Sequence, residues 1–153
     1  MRAAADINEP IIEALYCEVL VLADEVRTVF DLARLQDNGA EGDLLRMALS
    51  AEGLRTTTRM MHVLAWLLNH RAFFHGELSE FQLRRHGTLP PDRPSEMDQL
   101  RLLEPATREL IAETERIHAR IARLDRAWRE RFSMRPAAIL RLRDRLGQAV
   151  NHI

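Results

Sequence analysis

One uncharged stretch decides how this chain must fold: Met60-Met61-His62-Val63-Leu64-Ala65-Trp66-Leu67-Leu68-Asn69-His70, which lies between Arg59 and Arg71. In a helix its apolar side chains would point in all directions, whereas a surface helix keeps them to one stripe. Other protein segments must therefore cover this helix on more than one side. At eleven residues the stretch is too short to cross a bilayer, which needs about 20 apolar residues, so we expect no membrane span.

Length and composition indicate a single folded, helix-rich domain. The chain has 153 residues, of which 46% are apolar and 29% charged, with only six Gly and six Pro. A chain of this size buries roughly two thirds of its unfolded surface around one core. The net charge of −1 favours neither nucleic acid nor an acidic membrane. The lone Cys17 cannot form an internal disulfide and the N-terminus has no secretory apolar core, so we expect a cytoplasmic protein.

Three long helices joined by short elements are predicted from apolar residues spaced three and four apart. The first predicted helix is capped by Asn8 and ends in a turn at 37–40 with Gly39 as helix stop, and the second runs over Gly42–His75 and is stopped by Gly76. A short helix with the capping-box spacing of Ser79 and Gln82, a loop at 88–94 and a helical turn capped by Ser95 follow, before a third long helix from Pro105. We predict an all-α fold, an antiparallel three-helix bundle with short extra helices over residues 1–132. An amphipathic C-terminal tail, residues 133–153, either forms a last helix that starts near Ser133 or Pro136 or stays mobile.

No active site can be assembled from the sequence pattern. No nucleophile elbow, glycine-rich phosphate loop or HExxH spacing occurs, and all 22 basic residues are Arg, which excludes lysine Schiff-base chemistry. Glu115 and His118 have the Glu-x-x-His spacing that di-iron bundles use twice, but here it occurs once. A metal or small-ligand site around these two residues is the alternative function, and a helix-surface ion pair is the simpler interpretation. Acidic residues interrupt the basic side of the third helix, so we predict neither nucleic-acid binding nor a cofactor.

Two arginines precede the uncharged stretch, on either side of Thr56-Thr57-Thr58. Arg55 and Arg59 are four residues apart, which places both guanidinium groups on one face of a helix. Such a pair can bind carboxylates in two ways. It forms either a salt bridge between helices or subunits, or a contact to a carboxylate-bearing partner peptide.

The uncharged stretch also predicts self-association. A helix of a three-helix bundle leaves about half of its circumference outside, so apolar residues on that side would be exposed in a monomer, and large exposed apolar patches mark interfaces. We predict a symmetric homodimer that uses the second helix together with outward residues of the first. The predicted partner or dimer interface comprises Leu20, Val21, Arg55, Arg59, Met60, Val63 and Leu67.

Two blocks of the sequence resemble a known family. The first comprises Glu52-Gly53-Leu54-Arg55-Thr56-Thr57-Thr58-Arg59-Met60-Met61, Ala65-Trp66-Leu67-Leu68, Arg71-Ala72 and Gly76-Glu77; the second comprises Arg108-Glu109-Leu110-Ile111, Arg116-Ile117-His118-Ala119-Arg120-Ile121 and Arg123-Leu124-Asp125. In this order they resemble the second and third helices of the alphaproteobacterial regulator-of-CtrA-degradation family.

The resemblance implies a three-helix-bundle homodimer that is not an enzyme and serves as an adaptor for the ClpXP protease. In that family the protease is primed by a single-domain response regulator, and the adaptor tethers cell-cycle regulators as cargo, or further adaptors, at a cell pole. We therefore expect a cytoplasmic adaptor of regulated proteolysis.

Overall fold

The computed structural model describes residues 7–35 and 42–150, and the side chains of 34, 35, 132–139 and 150 lie outside this description. Its helices are α1 (Glu9–Leu35), α2 (Gly42–Phe74), α3 (Glu80–His86), α4 (Met97–Leu100) and α5 (Pro105–Val150). None of the described residues belongs to a strand. The protein is therefore all-α, as predicted.

Local capping groups set the ends of the first two helices. The Asn8 Oδ1 atom accepts the Ile11 N–H at 3.0 Å and so caps α1. After α2, Gly76 has a φ of 77°, and the Glu77 N–H donates to the Ala72 carbonyl at 2.8 Å. This Schellman geometry suits a glycine because a Cβ is disfavoured at positive φ. The predicted stop at Gly76 is confirmed, whereas the predicted turn at 37–40 with Gly39 lies outside the described residues.

A local capping signal sets the start of α3, whereas tertiary contacts set the start of α4. Ser79 forms the predicted capping box with Gln82 at the start of α3. The helical turn α4 begins at Met97 with Glu96 as its cap residue, not at Ser95 as predicted. Its expected cap, the Ser95 hydroxyl, instead donates to the Glu115 carboxylate at 2.8 Å.

The long helices α1, α2 and α5 contact one another pairwise and share one apolar core. Its main members are Ile12, Leu15, Val19, Leu22, Val26 and Phe30 from α1, Met60, Val63, Trp66 and Leu67 from α2, and Leu110, Ile111, Ile117 and Ile121 from α5. The uncharged stretch lies within α2, and residues of α1 and α5 cover the side of it that faces the core. In the described part of the chain, no helix is both long and apolar enough to cross a membrane.

Helix α5 runs without interruption from Pro105 to Val150, across the positions where the sequence predicts a new start at Ser133 or Pro136. At 1.5 Å per residue it is about 70 Å long. Trp128 is buried against the rest of the protein, whereas residues 140–149 are all exposed. The division into a domain and a tail at residue 132 stays a prediction, but any tail begins as a continuation of α5.

Candidate functional site

Arg59 lies inside the protein, with a side chain that has no exposed surface. Its Nε–H donates to both carboxylate oxygens of Asp92, at 2.8 and 2.9 Å. Its Nη1 donates to the Thr114 hydroxyl at 2.9 Å and its Nη2 to the Arg93 carbonyl at 3.0 Å. Every nitrogen of the guanidinium group is therefore hydrogen-bonded within the chain.

Arg55 is partly exposed and joins α2 to α4. Its Nη1 donates to Glu52 Oε1 at 2.7 Å and to Gln99 Oε1 at 2.6 Å, and its Nη2 donates to Glu96 Oε1 at 2.8 Å. The buried Glu52 also accepts the Glu96 backbone N–H at 3.1 Å. The two arginines thus bind carboxylates as predicted, and these carboxylates come from the same chain. Arg55 thus forms a salt bridge with Glu96 at the start of α4, and Arg59 forms one with Asp92 in the segment between α3 and α4.

Residues of α5 also contact the segment between α3 and α4, to which Arg59 of α2 is bound. The His118 Nε2 atom lies 3.1 Å from the Pro90 carbonyl oxygen, and Asp125 Oδ2 accepts the Leu89 N–H at 3.4 Å. Glu115 and His118 therefore both contact the connection between α3 and α4, Glu115 through Ser95. Across residues 7–35 and 42–150, no group of three His, Cys, Asp or Glu side chains is placed to hold a metal ion. No observation favours the alternative of a metal or small-ligand site at this pair.

These contacts have a common physical cause, the α3–α4 connection of residues 87–96. Its three prolines prevent a helix, so its backbone polar groups need partners outside regular secondary structure. Glu52, Arg59, His118 and Asp125 bond backbone groups of the connection. Arg55 and Glu115 bond its side chains, and Thr114 bonds Arg59. We call these seven side chains the polar cluster. Five polar residues of the two resembling blocks thus have a structural role that fixes one irregular segment: Glu52, Arg55, Arg59, His118 and Asp125.

His70 is buried between two tryptophan rings. Its ring stacks on Trp66 with centroids 3.7 Å apart and meets the Trp128 ring edge-on at 5.5 Å. Trp66 in turn donates its indole N–H to Asp125 at 3.0 Å. Burial lowers the pKa of His70 to about 4, against a smaller raising effect of the hydrogen bond from Nδ1 to the Trp66 carbonyl. His70 is therefore neutral at pH 7 and is a buried, hydrogen-bonded histidine.

The predicted orientation of α2 is wrong. Met60, Val63 and Leu67 were expected on the side away from the core, but each is at most 3% exposed and packs in it. The reason is that the buried side of α2 also carries the charged Glu52 and Arg59, whose partners come from α4 and the α3–α4 connection. Charge therefore does not mark the outside of this helix.

The opposite side of α2 presents a row of large apolar residues at intervals of seven. We call it the outer face of α2; its large residues, with their exposed fractions, are Met47 (69%), Leu54 (70%), Met61 (63%) and Leu68 (47%). Thr58 and Ala65 are exposed beside this row. The charged residues within this span are Glu52 and Arg59, which are buried, and Arg55, which binds α4. The outer face of α2 is consequently uncharged over three heptads.

Part of α1 adjoins this face. Leu20 and Val21 are exposed, which is the placement that the predicted interface requires. Arg27, one heptad after Leu20, lines a groove between α1 and α2 together with Met61. Since residues seven apart share a helix face, Leu20 lies on the side of α1 that borders the outer face of α2. Sequence reasoning missed the four large residues of that face, although their regular seven-residue spacing is visible in the sequence.

The chain belongs to the family described as "Protein of unknown function (DUF1465)", whose family model matches residues 3–150. This match spans all the helices and both resembling blocks. No curated protein and no solved structure matches the chain.

Proposed function

We propose that this protein is a non-enzymatic, homodimeric adaptor that tethers cargo or other adaptors to a response-regulator-primed ClpXP protease in cell-cycle-regulated proteolysis. The observation that carries the proposal is the uncharged, exposed outer face of α2. Such a face has no use in catalysis and is unfavourable in water, so it favours a protein that works by binding.

The size of this face fits an interface. From Met47 to Leu68 the helix rises about 32 Å, and a helix is about 10–12 Å wide, so the face covers on the order of 300–400 Å². This is the size of the largest apolar patch on a typical soluble monomer, and such patches are often functional. A spacing of seven residues is also the repeat of helices that pack side by side.

A second copy of the chain is the proposed occupant of the outer face of α2. In a symmetric pair each residue i faces a residue j and the reverse, so two antiparallel α2 helices centred near Thr58 would place Leu54 of one copy opposite Met61 of the other. The absence of charge removes like-charge repulsion from this arrangement. Leu20 and Val21 on α1 would extend the contact at its edge. In this proposal each subunit is an antiparallel three-helix bundle of α1, α2 and α5.

A charge placed on the outer face of α2 tests the homodimer. Met61→Glu is expected to convert a species of twice 17.7 kDa into one of 17.7 kDa in sedimentation equilibrium at low micromolar concentration, because the dimer would bury two unpaired carboxylates. Met97→Glu, at an exposed methionine of α4, is the matched control and should leave the dimer intact. A monomeric wild type, or a dimer that tolerates Met61→Glu, would count against the proposed interface.

The adaptor role is supported by the resemblance of the two blocks, five of whose polar residues belong to the polar cluster that fixes the α3–α4 connection. In this proposal the polar cluster holds the α3–α4 connection and the long helices rigid, and their exposed surfaces bind the protease system and its cargo. The expected location is the cytoplasm, at a cell pole.

A reconstituted degradation assay tests this role. Purified ClpXP, the single-domain response regulator and a candidate cell-cycle cargo are incubated with and without the protein, and the cargo half-life is measured. The proposal expects a shorter half-life only when both the response regulator and this protein are present. Unchanged half-lives across a panel of cargos would overturn the adaptor assignment, whatever the oligomeric state.

A further inference from the structure

A separate surface cleft lies between α3 and α5. It is lined by Phe81, Arg84, Arg85 and Arg129 and has a volume of about 490 Å³. Phe81 is 70% exposed, and none of the four lining residues is acidic. The cleft shares no residue with the outer face of α2 or with the polar cluster.

The walls of the cleft are fixed in place. Helix α3 has its capping box at Ser79 and inserts Leu83, which is fully buried. Arg129 donates from Nη1 to the Arg84 carbonyl at 3.0 Å and from Nε to Asp125 at 3.2 Å, which ties α3 to α5. The helix backbones at the cleft are therefore preorganised, which reduces the conformational entropy lost when a ligand binds.

The chemistry of the cleft combines an exposed aromatic ring with guanidinium groups. Asp125 compensates the charge of Arg129 from behind, within the protein, while Arg85 is exposed at the cleft itself. Guanidinium groups bind carboxylates through paired N–H donors, and a phenyl ring gives an apolar contact to a neighbouring side chain. These two features together fit an anion that carries an apolar group beside it.

We propose that this cleft binds a short acidic segment of a partner protein in which an apolar or aromatic residue adjoins the carboxylates. A nucleic acid fits less well, because Phe81 is a single stacking platform in this cleft, whereas single strands use successive aromatic residues. The inference names a partner chemistry for the proposed adaptor, and its biological use rests on that proposed function. The binding itself is measurable without the protease.

Fluorescence anisotropy with defined probes tests the cleft on the full chain. The probes are a labelled peptide in which glutamates flank one tryptophan, the same peptide with glutamine at every glutamate, and a labelled oligothymidylate. We expect the acidic peptide to bind, the glutamine peptide to bind at least tenfold more weakly, and high salt to weaken the acidic complex.

Two variants locate the binding. Phe81→Ala and Arg85→Gln change exposed residues and are each expected to weaken the acidic complex about three- to fivefold, as loss of one exposed aromatic or ionic contact does. Met97→Ala and Arg108→Gln are the matched controls at exposed positions elsewhere and should leave the affinity unchanged.

Equal binding of both peptides, no effect of the cleft variants, or tighter binding of the oligothymidylate through Phe81 and Arg85 would each overturn the inference. A cleft that binds no acidic peptide, in a protein that still accelerates cargo degradation, would refute this inference and leave the proposed function standing.

Discussion

Replacement of Arg59 by methionine separates a structural arginine from one that contacts a partner. The substitution keeps most of the side-chain volume and removes the guanidinium group. Because Arg59 is fully buried and bound to Asp92, Thr114 and the Arg93 carbonyl, its loss should destabilise the fold. If Arg59 were instead exposed and bound only a partner protein, its replacement would leave the stability of the fold nearly unchanged.

The size of the effect follows from the partners left behind. Removing one member of a buried ion pair typically destabilises by about 3–5 kcal/mol. Asp92 keeps a 23% exposed side chain and can be partly rehydrated, and the Thr114 hydroxyl still donates to the Ile111 carbonyl at 2.6 Å. The lower end, about 3 kcal/mol, is therefore expected, which corresponds to a fall in Tm of about 6–12 °C for a domain of this size.

Urea unfolding followed by circular dichroism at one fixed protein concentration measures this change, because a dimer would make stability depend on concentration. Arg101→Met is the matched control, since Arg101 and Asp98 form an exposed pair 3.8 Å apart that contributes at most about 1 kcal/mol. The double variant Arg59→Met with Asp92→Asn should lose less than the sum of the two single losses. If Arg59→Met unfolds at the wild-type urea concentration, the buried ion pair is refuted and the partner-contact interpretation regains its basis.

Two further predictions concern stability. His70 should make the protein acid-sensitive, because burial lowers its pKa from 6.5 in the unfolded chain to about 4 in the fold. Above pH 6.5 His70 is neutral in both states. As the pH falls from 6.5 to 4, the unfolded chain binds a proton that the fold does not, and the free energy of unfolding should decrease by about 3 kcal/mol. The unfolding free energy of the wild type minus that of His70→Phe, measured across that range, should decrease as the pH falls. A difference that does not change with pH would contradict this prediction. Gly76→Ala should destabilise by about 1 kcal/mol because φ is 77° there, whereas Gly147→Ala, with no atom near the added Cβ on the exposed part of α5, should be neutral or stabilising in the same thermal melt.

Local signals predicted much of the fold. The Asn8 cap, the Gly76 stop and the Ser79 capping box depend on residues within one helical turn, and all three are confirmed. Two predictions that were wrong, the Ser95 cap and the orientation of α2, depend on residues distant in the chain. Ser95 does not cap α4 because Glu115, twenty positions later, accepts its hydroxyl, and no local pattern can report such a competition.

The candidate site shows the same division. The spacing of Arg55 and Arg59 predicted that both bind carboxylates, and both do. Their partners Glu96 and Asp92 lie more than thirty positions away, beyond a short helix and a proline-rich connection whose path the sequence does not indicate. The residue types at the site were therefore predictable, while their partners, and with them the choice between an internal and an external contact, required the structure.

The orientation of α2 shows most generally why some features could be predicted from the sequence and others could not. Both of its sides are apolar, so the sequence offers two rows for the core, one with Met60, Val63 and Leu67 and one with Leu54, Met61 and Leu68. The usual rule puts charged residues outside, and it selects the second row as the core because Glu52 and Arg59 fall beside the first. The rule fails here because the α3–α4 connection and α4 bring Asp92 and the N–H of Glu96 to those charges and satisfy them inside. The row without charge is thereby left exposed on the surface, and it is the face on which we propose the dimer contact. The internal polar cluster and the proposed dimer therefore both depend on the orientation of this one helix.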